Sequence, residues 1–126
     1  MPDEPSFDIP ARPTRRFSRQ TVEYEGETVF ELHPDPGADD AALAALVERV
    51  LCEVPYRYGD WFELPMPLYL VHDGETGDTF RVAVRDGRVE LHVLPATESA
   101  GLRALYDRLA AASDREWSVR CRTADA

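Results

Sequence analysis

The chain has 126 residues, with 24 acidic against 14 basic side chains and a net charge of -10, a length that holds one domain around one core. Hydrophobic residues make up 44% and aromatics 10%, enough apolar surface to offset chain entropy, which excludes wholesale disorder. No run approaches the roughly 18 apolar residues of a membrane span, and Cys52 and Cys121 lack metal-ligand or Cys-x-x-Cys spacing, which excludes a disulfide scaffold and a zinc knuckle.

Met1-Pro2-Asp3-Glu4-Pro5 has neither the basic start nor the apolar stretch of a signal peptide, so a cytoplasmic protein is expected. Every basic residue is an arginine; there is no lysine. In composition alone, this acidic, lysine-free, alanine-rich chain resembles the cytosolic proteins of halophilic archaea. In molar salt, carboxylates hold water and their mutual repulsion is screened within about 3 Å. A GC-rich genome would replace lysine by arginine as well.

Residues 1–20 read as an extended arm, punctuated by Pro2, Pro5, Pro10 and Pro13 and anchored only by Phe7, Ile9 and Phe17. Loss of the first ten residues is expected to leave the fold intact. The arm carries Arg12, Arg15, Arg16 and Arg19, opposite in sign to the rest of the chain. Such a stretch could touch phosphate, but the acidic body repels a polyanion, so the arm is expected to lie along the protein's own surface and nucleic acid is disfavoured as a partner.

Residues 21–126 read as a single domain. Thr21–His33 reads as a hairpin about Gly26, with Val22, Tyr24, Thr28, Phe30 and Leu32 on one face and Glu23, Glu25, Glu27, Glu31 and His33 on the other. Asp39 or Asp40 can then cap a helix whose stripe is Leu43, Leu46, Val47, Val50, Leu51 and Val54, ending at Pro55 and leaving Cys52 on the far side. Tyr56 to Pro67 predicts a loop with a short edge strand. Leu68–His72 and Thr79–Arg85 read as strands joined by the Gly- and Asp-rich turn Asp73–Asp78. Asp86-Gly87 is a two-residue hairpin signal that places Val84 against Val89, Val82 against Leu91, Ala83 against Glu90 and Arg81 against His92. Thr97 or Ser99 can cap a second helix bearing Leu102, Leu105, Tyr106 and Leu109. A last strand follows with Trp117, Val119 and Cys121 inward and Glu116, Ser118, Arg120 and Arg122 outward. The fold class is α+β: a mostly antiparallel sheet of about six strands, β-β-α-β-β-β-α-β, with both helices on one face.

Two surfaces could carry function. On the outward face of the central hairpin, Arg81, Glu90 and His92 converge, and His72 joins that face if the whole of Asp73–Asp78 is loop. A histidine beside a carboxylate and an arginine can serve as a base with an anion clamp. The structural alternative is a solvated sheet face with cross-strand ion pairs. The segment Tyr56, Arg57, Tyr58, Trp61 and Phe62 has the composition of a contact surface; the same residues would also make a lid over a small core. No metal site or cofactor is indicated: His33 with Asp35 and the Asp73–Asp78 turn have acidic or imidazole ligands but no metal-binding spacing, and no phosphate-cradling glycine motif is present.

With no catalytic motif, the expectation is a non-catalytic interaction or regulatory module that self-associates or binds a protein partner through an edge strand or the aromatic segment. The alternatives are a small enzyme or ligand-binding protein using the Arg81, Glu90 and His92 face, and a nucleic-acid-associated protein using the arm.

Overall fold

The computed structural model describes residues 6–10, 13–17, 22–25, 27–60 and 68–124. Along the chain run β1 (Thr14–Phe17), β2 (Val22–Glu25), β3 (Glu27–Asp35), α1 (Asp40–Leu51), β4 (Tyr56–Asp60), β5 (Leu68–Asp73), β6 (Thr79–Arg85), β7 (Arg88–His92), α2 (Ser99–Ala112) and β8 (Glu116–Ala124). Strands β4-β5-β6-β7-β3-β8 form one sheet in that spatial order, and every neighbouring pair is antiparallel. The class is α+β: among the described residues, six strands in the main sheet, β1 and β2 in a separate two-stranded ribbon, and two helices.

Alternation along each strand sorts its side chains. Phe80, Val82 and Val84 of β6 and Val89 and Leu91 of β7 pack into one cluster with Leu43, Val47, Val50 and Leu51 of α1 and Leu102, Leu105 and Leu109 of α2. Both helices therefore bury their stripes on the same face of the sheet. Asp86 and Gly87, at φ 54° and 73°, make the tight turn that their sequence signals, and the β6–β7 register pairs Val84 with Val89, Val82 with Leu91, Ala83 with Glu90 and Arg81 with His92. Helix α1 is capped by Asp39, whose side chain accepts from the Ala42 amide at 2.8 Å.

Four features depart from the sequence-based expectation. The hairpin about Gly26 is replaced by two separate pairings: β2 pairs with β1 in a small ribbon, whereas β3 lies between β7 and β8. Alternation assigns a residue to a face but not a strand to its neighbour, and β3 gains partners along both of its edges by entering the main sheet. Helix α1 stops at Leu51, so Val54 drops out of the apolar stripe and stands 92% exposed in the turn before Pro55; the residue before a proline is disfavoured in helical geometry.

The second helix is capped from outside itself. Its N-cap residue is Glu98, which makes no side-chain cap bond, and neither Thr97 nor Ser99 fills the role. The buried Asp78 carboxylate does, accepting from the Glu98 amide at 3.1 Å and the Gly101 amide at 2.6 Å. Thr97 instead accepts from the Leu94 amide and donates to the Thr79 carbonyl, pinning the loop to β6. Finally, the start of the arm is part of the core: Phe7 is 4% exposed, with its ring centroid 5.3 Å from Phe30 and 5.4 Å from Tyr106. The expectation that the first ten residues are dispensable gives way to this packing.

Candidate functional site

The face of the sheet turned away from the helices carries charge, and its centre is Glu90. Its neighbours follow from strand order. Arg85 comes from β6, Arg88 and His92 flank Glu90 on β7, Glu27, Glu31 and His33 come from β3, and Arg122 comes from β8 at the far side. Glu90 is fully buried, yet its carboxylate meets Arg88 Nε at 2.8 Å and His92 Nε2 at 3.1 Å in hydrogen bonds, and Arg85 Nε at 3.0 Å as an ion pair without hydrogen-bond geometry. Arg122 Nη2 lies 3.8 Å away. Glu31 receives Arg122 Nε at 3.0 Å and His33 Nε2 at 3.1 Å, with Arg88 Nε at 3.7 Å.

These contacts set the protonation states. Burial pushes the Glu90 carboxyl up, but its close contacts with Arg85, Arg88 and His92 outweigh it and hold the group below its ordinary range. Glu31 is likewise lowered: desolvation is offset by hydrogen bonds from His33 and Arg122 and by the charges of Arg88 and Arg122. His92 moves down because burial disfavours its cation more than Glu90 and Glu27 favour it. Since a carboxylate only accepts, the neutral ring donates from Nε2 to Glu90; its Nδ1 then faces Glu27 Oε1 at 3.8 Å.

The structure thus brings Arg81, Glu90 and His92 onto one face, with Arg81 directly across from His92. Arg81 and His92 line a cleft of about 280 Å³ together with Pro13, Glu27 and Thr28. His72 shares the same face, because the Asp73–Asp78 loop pairs it with Thr79, whose hydroxyl lies 3.1 Å from Nδ1. It opens on a different cleft, of about 630 Å³, with Cys52, Pro55 and Arg57. The acids of the intervening turn are engaged locally: Asp73 Oδ1 accepts from the Glu75 and Thr76 amides, and Asp78 caps α2. Among the described residues no group of three or more potential ligands surrounds a metal-sized space.

In the aromatic segment, Tyr56 is buried in the core, its hydroxyl accepting from Arg108 at 2.7 Å, with the Arg108 guanidinium 5.0 Å from its ring centroid. Tyr58 is half-buried, edge-on to Tyr69, and Arg57 is exposed. Trp61 and Phe62 lie outside the described residues, as do Arg12 and Arg19 of the arm. Arg15 and Arg16 sit in β1.

The residues missed as a unit are Glu31, Arg85, Arg88 and Arg122. Each reads as outward-facing from alternation; what alternation lacks is the placing of β3 beside β7 and of β8 beside β3. A second feature follows from the same strand order. β8 is bonded to β3 along its whole length and has no strand on its other side among the described residues. Trp117 and Val119, on its helix side, are therefore only half-buried and Cys121 is exposed, because the helices do not extend over the edge.

No helix among the described residues is long and apolar enough to cross a membrane. No protein-family model matches the chain, and neither a search of curated proteins nor one of solved structures finds a match.

Proposed function

We propose that this chain is a non-catalytic interaction module whose contact strand is β8. The observation that carries the reading is the state of that strand: Glu116–Ala124 lies at the sheet edge with one side fully bonded to β3, the other side without a strand among the described residues, and Trp117, Val119 and Cys121 incompletely covered beside it. A long edge strand of this kind is a template for pairing with another chain. The charged face behind it supports the same reading. Glu90 and Glu31 are balanced by Arg85, Arg88 and Arg122, bonds that tie β6, β7, β3 and β8 together and stiffen the edge.

A second reading rests on the cleft at Arg81 and His92, where a neutral imidazole held by Glu90 presents Nδ1 as a base toward a small ligand. Panning a random extended-peptide library against the immobilised protein, followed by amide-shift mapping, separates the two. Binders that shift β8 amides and are lost in Val119→Lys are the expected result. Binders that shift His92 and Arg81 instead favour the cleft, and the absence of any binder overturns the reading of β8 as a surface for foreign chains.

A further inference from the structure

We propose that β8 pairs with β8 of a second copy, antiparallel about a twofold axis at Val119, to give one continuous sheet through both molecules. The inference rests on the reading of β8 as a contact strand and names its partner. Its basis is the order of side chains along the strand. An acid, Glu116, stands near one end and the bases Arg120 and Arg122 toward the other, all on the face opposite the helices. An antiparallel copy centred on Val119 sets Glu116 across from the other copy's Arg122 and diagonal to its Arg120, while Ser118 faces Arg120. Opposite charges across a strand pair are favourable at this spacing.

The helix-side row obeys the same symmetry. Trp117 meets the other copy's Cys121 and Val119 meets itself, so the half-covered row of each copy closes on the other. Trp117 is held in place within its own chain, its indole Nε1 donating to Ser113 Oγ at 2.9 Å.

Neighbouring registers are worse on inspection. Centring on Arg120 stacks that guanidinium on its own copy and leaves Glu116 against Ala124. Centring on Ser118 only exchanges the two arginines, Arg120 across from Glu116 and Arg122 diagonal to it, but it shortens the overlap to residues 116–120 and leaves Cys121 and Arg122 without a facing strand residue, because β8 begins at Glu116. The strand is also a place where two molecules of net charge -10 can approach, since its arginines offset Glu116 and the nearby Glu27 and Glu31. A twofold pairing of identical strands closes on itself, whereas joining β8 to the opposite edge at β4 would propagate without limit.

The test is sedimentation of the full chain at about 0.1 mM in about 2 M potassium chloride, where repulsion between the acidic bodies is screened, with disulfide trapping in a Cys52→Ser/Cys121→Ser background. The expected mass is twice that of the 14.2 kDa chain. Val119→Cys is expected to cross-link to itself faster than Ser118→Cys or Arg120→Cys alone, and an equimolar mixture of the latter two to cross-link to each other. Glu116→Arg, at an exposed site, is expected to weaken the dimer about tenfold or more when the two proteins are compared at about 0.15 M potassium chloride, where the cross-strand ion pairs are not screened out. A dimer that cross-links best elsewhere, or that ignores Glu116→Arg, overturns the proposal. A monomer throughout overturns it too; if that monomer still holds library peptides on β8, the broader interaction reading survives, and if it holds none, both fall. The Ser118 and Arg120 mixture keeps the outcome readable if Val119→Cys misfolds.

Discussion

Glu31 and Glu90 stand directly across from one another on β3 and β7, two carboxylates at adjoining positions on one face of the sheet. Like charges so placed repel. The pair persists because Arg88 and Arg122 each reach both: Arg88 Nε lies 2.8 Å from Glu90 and 3.7 Å from Glu31, and Arg122 lies 3.0 Å from Glu31 and 3.8 Å from Glu90. Removing Glu90 strands cations at a buried site. Glu90→Gln is expected to cost about 3–5 kcal/mol, and Glu31→Gln, which leaves Glu90 in place, about 1–3 kcal/mol. The double substitution should cost more than the sum, since either carboxylate alone still serves the shared guanidiniums. Urea unfolding of the four proteins measures this, and additivity within about 0.5 kcal/mol would show that the arginines are not shared in energetic terms.

Stability should fall on mild acidification before the carboxylates titrate. His92 is held neutral in the fold by burial, so its folded-state value is depressed below 6.5. The unfolded chain therefore takes up a proton first as pH drops, and this contribution is present above about 6.5 and lost as pH falls toward the depressed value. His92→Gln keeps a donor for Glu90 and does not titrate. Its unfolding midpoint should depend less on pH than that of the parent as pH falls below about 6.5, and parallel profiles for the two would remove His92 as the cause. Below that window the lowered Glu90 and Glu31 govern, with stability lost as pH falls through their folded-state values.

Gly101 is a glycine inside a helix for a reason that lies in another element. Its amide is bonded at 2.6 Å to Asp78, and a Cβ there would fall on the Asp78 side chain, closer than van der Waals contact allows. Gly101→Ala should therefore destabilise, although an interior Gly→Ala exchange alone gains about 1 kcal/mol. Asp78→Ala should cost about 1–2 kcal/mol by uncapping α2. In an Asp78→Gly background, which clears the space, Gly101→Ala should turn neutral or favourable. Thermal melts of this cycle are sufficient, and destabilisation in both backgrounds would assign the cost to something other than Asp78.

Phe7 packs between Phe30 and Tyr106, so Phe7→Ala should cost about 3–5 kcal/mol, as large core truncations do. Deletion of residues 1–10 should cost at least as much. Denaturant unfolding decides it; an unchanged midpoint for the truncated chain would return these residues to a dispensable arm.

The excess of carboxylates makes a separate prediction. If it is an adaptation to high salt, the melting temperature should keep rising between about 0.1 M and 2 M potassium chloride. The buried Glu90 contacts are shielded from salt, so the gain would come from the surface. A flat melting temperature across that range would leave composition without a functional meaning.

The sequence by itself determined the α+β class, the types of the main elements and the faces of their residues, because helical pitch and strand alternation are local. It also determined the β6–β7 register, since Asp86-Gly87 forces the turn and alternation then leaves one pairing. Arg81, Glu90 and His92 were legible as neighbours for that reason alone. What only the tertiary structure decided are contacts between residues far apart in the chain. Arg122 reaches Glu31 across 91 positions, and Asp78 reaches Gly101 across 23. Phe7 enters the core among residues of β3 and α2. Periodicity names the side on which a residue stands but carries nothing about which strand lies next to it. The charged lattice around Glu90, the cap of α2 and the open edge of β8 therefore all wait on strand order, which is set by how the apolar stripes of both helices pack together on one sheet face.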